Sequence, residues 1–240
     1  MVLRALARSR MYRASSILIA EKRLERLEPL LRSFDDRIPV FAAEQPVMDA
    51  MVGFSIHRGV LAYAERGPVR SAEDVLSGIG GHAEILVLIG VANHDNVGAA
   101  FRNAAAFGAK AVLLDPTCCD PLYRKAIRVS VGAALLMPFA RLAPGEDLLG
   151  LLARHRFRVL ALSPSGAMRL VDLKGAARTA LLIGAEGPGL PPQLLAQATT
   201  LAIPMAAGFD SLNLATAAGV VLNRLAELRD ADESGSEALR

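Results

Sequence analysis

The run Leu181-Leu182-Ile183-Gly184-Ala185-Glu186-Gly187-Pro188-Gly189-Leu190 decides the fold. Residues 178–183 are an apolar run of strand length, as expected for a strand covered on both faces in a parallel sheet. The run stops in a turn that holds three glycines, one proline and a single carboxylate, Glu186. Glycine permits positive φ and lets backbone approach a ligand closely. Pro191-Pro192 then suits the first turn of a helix. A glycine-rich loop at the carboxyl end of a strand is where open α/β sheets bind ligands. The same residues also suit a tight strand-to-helix turn without a ligand, and the run by itself leaves both readings open.

Outward from this run, residues 85–89, 111–114, 136–140, 158–163 and 201–204 read as further strands. They alternate with helical patterns at 98–107, 122–131, 147–155, 193–198 and 212–228, which predicts an α/β fold built on a parallel sheet. Ahead of them, strands at 15–20, 40–43 and 59–64 and helices at 21–33 and 46–52 form a small α/β unit. In the first of these helices Leu24, Leu27, Leu30 and Leu31 share one face. Gly67-Pro68 and Ser77-Gly78-Ile79-Gly80-Gly81 mark a linker. The expected division is a small domain at 1–66, a linker at 67–83, a larger domain at 84–230 and a polar tail at 231–240 that frays.

Composition narrows the classes. The 240 residues are 52% hydrophobic and only 5% aromatic, with no Trp, which suits Ala/Leu/Val-rich helices packed on a sheet. Residues 1–70 carry 12 Lys/Arg against 8 Asp/Glu, whereas the remainder is nearly balanced. A basic front half points to an anionic partner or simply to a solvated basic surface. Cys118 and Cys119 are the only cysteines and are neighbours, so they read as reduced packing residues, and no zinc spacing surrounds them. No metal site is expected. No apolar run approaches the roughly 18 residues of a membrane span. Arg4, Arg8, Arg10 and Arg13, with no acid before Glu21, have the composition of an organelle transit segment. Residues 16–20 read instead as a strand entering a domain, and the expected location is cytoplasmic.

Three loops stand at the carboxyl ends of predicted strands. The first runs from Val91 through Asn96 into Phe101-Arg102-Asn103, where Arg102 stands among mostly apolar helical residues. A guanidinium there needs an anionic ligand, carbonyl groups or a local acid such as Asp95. The second is residues 184–189. The third runs from Ile203 to Asn213, where Asp210 or Ser211 would cap the last helix. Asn213, expected one turn inside that helix, is a poor interior residue and so asks for another role. His57, His82, His94 and His155 are scattered, and no nucleophile elbow, Walker loop or dinucleotide fingerprint is present.

Taken together, Asn96-Val97-Gly98-Ala99-Ala100-Phe101-Arg102-Asn103-Ala104, Gly184-Ala185-Glu186-Gly187-Pro188-Gly189-Leu190, and Ile203-Pro204-Met205 through Ser211-Leu212-Asn213 resemble the three ordered motifs of the SpoU/TrmH family. These are RNA ribose 2′-O-methyltransferases of the SPOUT superfamily. Asp120-Pro121 through Arg128-Val129-Ser130-Val131-Gly132 fits the family's middle segment. The resemblance covers about residues 84–228. Residues 15–66, with His57-Arg58-Gly59-Val60, look more loosely like the family's N-terminal RNA-binding domain, without that domain's first elements. Asn103 stands where Ser or Thr is common, and Leu214-Ala215 where Val-Ser is common.

The resemblance implies a C-terminal trefoil knot, a homodimer, and S-adenosylmethionine held by Leu182, Gly184, Gly187, Ile203, Met205 and Leu212. It implies methyl transfer to a ribose 2′-hydroxyl of tRNA or rRNA, with Arg102, Asn96, Glu186, Ser211 and Asn213 as the active-site set. Arg102 would anchor the phosphate and polarise the hydroxyl, because a guanidinium with a pKa above about 12 is a poor free base. The alternative is a non-catalytic RNA-binding protein that retains the fold.

Overall fold

The computed structural model describes residues 1–53 and 59–237, with side chains through 232. His57 and Arg58, and the last residues of the expected tail, lie outside the described residues. The chain divides into two units, Met1–Val69 and Arg70–Arg240.

In the first unit the elements run α1 (Val2–Arg8), β1 (Tyr12–Ala20), α2 (Leu24–Leu31), β2 (Val40–Ala43), α3 (Gln45–Val52) and β3 (Val60–Arg66). β1 is the central strand, parallel to β2 and antiparallel to β3. Its side chains alternate between two small cores, as the two-residue period of a strand requires. Ile17 and Ile19 pack with Leu3, Leu27, Leu30 and Leu31, while Ala20 and Leu18 pack with Met48 and Leu61. The arginine-rich first residues fold as α1, which buries Leu3, Ala5 and Leu6, and as the start of β1. The sequence reading missed α1.

The second unit runs α4 (Ala72–Ser77), β4 (Ala83–Ile89), α5 (His94–Ala106), β5 (Ala111–Leu114), α6 (Arg124–Val129), β6 (Phe139–Arg141), α7 (Leu148–Arg154), β7 (Arg158–Leu162), β8 (Met168–Arg169), β9 (Arg178–Gly184), α8 (Pro192–Gln197), β10 (Thr199–Ala202) and α9 (Leu214–Glu237). Its seven strands form one sheet in the order β6-β5-β4-β9-β7-β10-β8, and every pairing is parallel. β9, the strand that precedes the glycine turn, sits in the middle between β4 and β7. Leu181 and Ile183 face the core that holds Phe101 and Val97 of α5 and Val221 of α9. Ala180 and Leu182 face the opposite core, with Val75, Leu76, Leu151 and Leu152. Each fully buried Leu or Ile contributes roughly 1.5–3 kcal/mol of transfer free energy.

Several boundaries differ from the sequence reading. The linker expected at 67–83 contains α4, whose N-terminus is closed by a reciprocal capping box between Ser71 and Asp74. Val75 and Leu76 of this helix are buried in the second core, so it belongs to the second unit. α9 continues to Glu237, well past the expected frayed end at 230. α5 begins at His94 rather than 98, because the Asn93 side chain accepts the Asp95 N–H at 2.8 Å and starts the helix there. The two-residue β8 has no counterpart among the predicted strands.

One polar pair fixes the sheet to a helix, and an exposed arginine closes a loop. Glu84 on β4 is 4% exposed and accepts a 2.7 Å bond from Arg229 Nη1 on α9. Arg141, at the end of β6, donates to the carbonyls of Asp115, Pro116, Cys118 and Cys119, and so closes the loop after β5. Cys118 and Cys119 are free thiols, in agreement with their reading as packing residues. Cys118 Sγ donates to the Leu88 carbonyl and accepts the Val91 N–H, both at 3.3 Å. Burial, reinforced by the Asp115 carboxylate, pushes its thiol up to about 12.

Candidate active site

The carboxyl ends of β7 and β9 and the chain after β10 enclose a cleft of about 430 Å³. Its walls come from three short stretches: Leu162–Pro164 after β7, Ile183–Gly189 after β9, and Ile203–Leu214 after β10, with Ala217 of α9 at one side. Gly184, Gly187, Ile203, Met205 and Leu212 all line it, as do Glu186, Ser211 and Asn213. Leu182 does not. Its side chain is fully buried and points to the opposite face of the sheet, because β9 alternates and Ile183 takes the cleft side. Ser163 and Pro164 were missed as lining residues. The available signal was their place at the carboxyl end of a predicted strand, which shows its value only once β7 is known to neighbour β9.

The glycine turn has a structural reason of its own. A Cβ on Gly184 would overlap the backbone of Gly189 and Leu190, because the turn folds back on the strand end. Gly189 N–H donates to the Ala185 carbonyl at 3.0 Å, and Gly187 and Gly189 have φ of +87° and +68°. Gly184 is therefore required by the closure of the turn itself, beyond any need to admit a ligand.

Asn213 joins the three loops. It is not inside α9, as expected, but is its N-terminal cap: its Oδ1 accepts the N–H groups of Ala215 at 2.9 Å and Thr216 at 3.2 Å. Asp210 and Ser211 do not hold that place. The other half of the amide donates outward, from Nδ2 to Asn96 Oδ1 at 3.1 Å and to Glu186 Oε1 at 3.2 Å. Asn96 is 6% exposed and sits in the first turn of α5, whereas Glu186 is exposed at the turn after β9. One side chain thus caps a helix and ties together three segments that are far apart in sequence. Asn103, further along α5, donates from Nδ2 to the Ala215 carbonyl at 2.6 Å and fixes α5 to the start of α9.

Arg102 lies on α5, exposed, outside the lining of the cleft. Its suggested structural partner is taken: Asp95 Oδ2 pairs with Lys125 Nζ of α6 at 2.6 Å. Among the described residues Arg102 has no hydrogen bond or ion pair, so its guanidinium is available to an external anion. α5 and α6 pack closely enough that a Cβ on Gly98 would come within 2.7 Å of the Ala126 carbonyl oxygen. Of the described histidines, His155 bonds Glu73 at 2.7 Å, His82 bonds the Ala176 carbonyl at 2.7 Å, and the His94 ring packs at a tilt against Tyr123. Among the described residues no group of three or more His, Cys, Asp or Glu is placed to hold a metal ion. No described helix is long and apolar enough to cross a membrane.

Residues 83–223 match the SpoU rRNA Methylase family, and the chain belongs to that family. It is 45% identical over 187 residues to an uncharacterised tRNA/rRNA methyltransferase of Mycobacterium bovis, a match covering 76% of this chain and 64% of that protein. The chain thus spans just under two thirds of that relative's length. Among solved structures, one described as an RNA 2′-O ribose methyltransferase superposes with a TM-score of 0.75 at 26% identity, covering 94% of this chain and 84% of the other. The SpoU methyltransferase AviRb of Streptomyces viridochromogenes, in complex with the cofactor AdoMet, superposes with a TM-score of 0.77 over 92% of this chain and 85% of its own. At 23% identity the latter likeness speaks to the fold alone.

Proposed function

We propose that this chain is an S-adenosylmethionine-dependent RNA methyltransferase acting on a ribose 2′-hydroxyl of tRNA or rRNA. The observation that carries the reading is the meeting of all three motif loops at Asn213, on the wall of a cleft of cofactor size. The cleft suits such a ligand. It is walled mainly by apolar side chains and glycine backbone, and it offers Glu186, Ser211 and Ser163 as polar groups. When bound, the cofactor supplies an electrophilic methyl group on a sulfonium. The protein's share is alignment of the hydroxyl and help with its proton. Asn213, held by Asn96 and Glu186, fixes the loop that carries Ser211 and Leu212. Arg102, without a partner among the described residues, binds the RNA phosphate and polarises the hydroxyl by charge-assisted hydrogen bonding. The hydroxyl attacked is also the group that distinguishes RNA from DNA.

The same reading includes the finer features of the family. A trefoil knot would involve the chain between β7 and α9, since β9 inserts between β4 and β7 before the chain leaves to β10 on the far side of β7. The chain would work as a cytoplasmic homodimer, and residues 1–66 would hold RNA through their excess of cations. The test is transfer of labelled methyl from S-adenosylmethionine to bulk RNA, followed by digestion to nucleosides. Label in 2′-O-methylribose is the expected result. Label only in bases would refute the ribose assignment. Cofactor and RNA binding without transfer would favour the non-catalytic alternative.

A further inference from the structure

Next to the motif loops, α5 and α6 present an aromatic surface that the reading above leaves unused. The Tyr123 ring, immediately before α6, is 46% exposed, and one side of it is backed by His94 at a centroid distance of 4.3 Å and a tilt of 45°. His94 is the first residue of α5, two positions before Asn96, and therefore at the end of the helix that meets Asn213. Cationic residues follow it in the chain. Arg124, Lys125 and Arg128 are exposed on α6, and Lys125 is neutralised by Asp95 at 2.6 Å. Arg102 follows on α5, about 12 Å along the helix axis from His94. The support is rigid, because Gly98 brings the two helices to backbone contact.

A large exposed aromatic ring in a soluble protein is not itself a site. Here, however, the ring packs against a second ring, precedes exposed Arg124 and Arg128 on α6, and its backing residue opens the helix that carries Asn96. That combination suits a nucleobase with its phosphates, since every base has a π-face and stacking on an aromatic ring needs no particular sequence. A base inside a helical stack has both faces covered. We propose that Tyr123, backed by His94, stacks an unpaired base next to the target nucleotide. This rests on the RNA methyltransferase reading.

The chain has no Trp, so Tyr123→Trp would create a single fluorescent reporter. Its emission should be quenched by a single-stranded oligoribonucleotide and much less by a duplex of the same length. Tyr123→Ala should weaken binding of the single strand by roughly tenfold or more, the scale of one lost stack. It should raise KM for RNA more than it lowers kcat and leave S-adenosylmethionine affinity unchanged, and Tyr123→Phe should restore binding. Equal quenching by strand and duplex, or a Tyr123→Ala variant that binds the single strand within twofold of the parent, would overturn the proposal. So would a change of oligomeric state in Tyr123→Ala, which would assign the ring to a subunit contact. If the parent proved unable to methylate RNA, quenching and affinity would still decide the stacking platform separately.

Discussion

Asn213 performs two tasks with the two ends of one amide, and three substitutions separate them. Asn213→Ala removes the cap of α9, which costs about 1 kcal/mol. It also leaves the buried Asn96 Oδ1 without its donor, which costs roughly 1–3 kcal/mol. The expected loss is about 2–4 kcal/mol, or roughly 4–16 °C in Tm for a unit of this size. Asn213→Ser keeps a good capping oxygen and loses only the donor, so it should be about 1 kcal/mol more stable than Asn213→Ala. Asn213→Asp also keeps the cap, but sets a second carboxylate where Nδ2 now lies 3.2 Å from Glu186 Oε1. Repulsion at that separation is worth about 1–5 kcal/mol between the limits of bulk water and a protein surface. Because Glu186 is exposed, the lower end applies. The repulsion acts only while both carboxylates are charged, so this part of the Asn213→Asp penalty should shrink in acid, where the pair protonates. Urea unfolding at several pH values, with S-adenosylmethionine titrations alongside, provides the assay. All three variants should bind cofactor more weakly, since each releases Glu186 and Asn96 from the loop. An Asn213→Ser variant with parental cofactor affinity and transfer rate would refute the reasoning that this amide organises the site.

Arg102→Ala should stay folded and bind cofactor normally while its single-turnover methyl-transfer rate falls by on the order of a hundredfold, with incomplete rescue by Lys; a rate within a few-fold of the parent would remove Arg102 from the reaction. Arg229→Met leaves the buried Glu84 carboxylate with only His82, 3.8 Å away, and should lower unfolding free energy by about 3 kcal/mol in urea titrations. The Cys118 thiol, pushed up to about 12, should resist iodoacetamide at pH 8 in the native protein and react once urea unfolds it; rapid native labelling would show that the Arg141-closed loop opens. Arg26→Glu in α2 with Arg32→Glu just after it should weaken RNA binding and flatten its salt dependence while sparing cofactor affinity, and an unchanged salt slope would dismiss the first unit as an RNA contact.

The parallel sheet was legible because its strands are buried on both faces and appear as uninterrupted apolar runs, β4 and β9 above all. The three loops were legible because glycine, proline and isolated polar residues interrupt those runs. Family membership followed from the order of the loops, which is a property of the sequence. The resemblance grouped the three loops in one site, but the sequence did not reveal which residues join them or what else enters the cleft. Ser163 and Pro164 enter the cleft only because the sheet order brings β7 beside β9. Leu182 looked like a cleft residue next to Gly184, but alternation turns it into the opposite core. α4 was hidden among linker-like residues, since its six residues are too few for helical periodicity and its capping box is the only local signal. Asn213 was misplaced because an asparagine that caps a helix and one that stands a turn inside it differ by backbone conformation alone. That Arg102 has no partner among the described residues became visible only when Lys125, from another helix, occupied Asp95. Local chemistry along the chain determined the elements and their turns. The pairing of strands and the choice of partner for each polar group are contests between residues distant in sequence, and only the tertiary structure decided them.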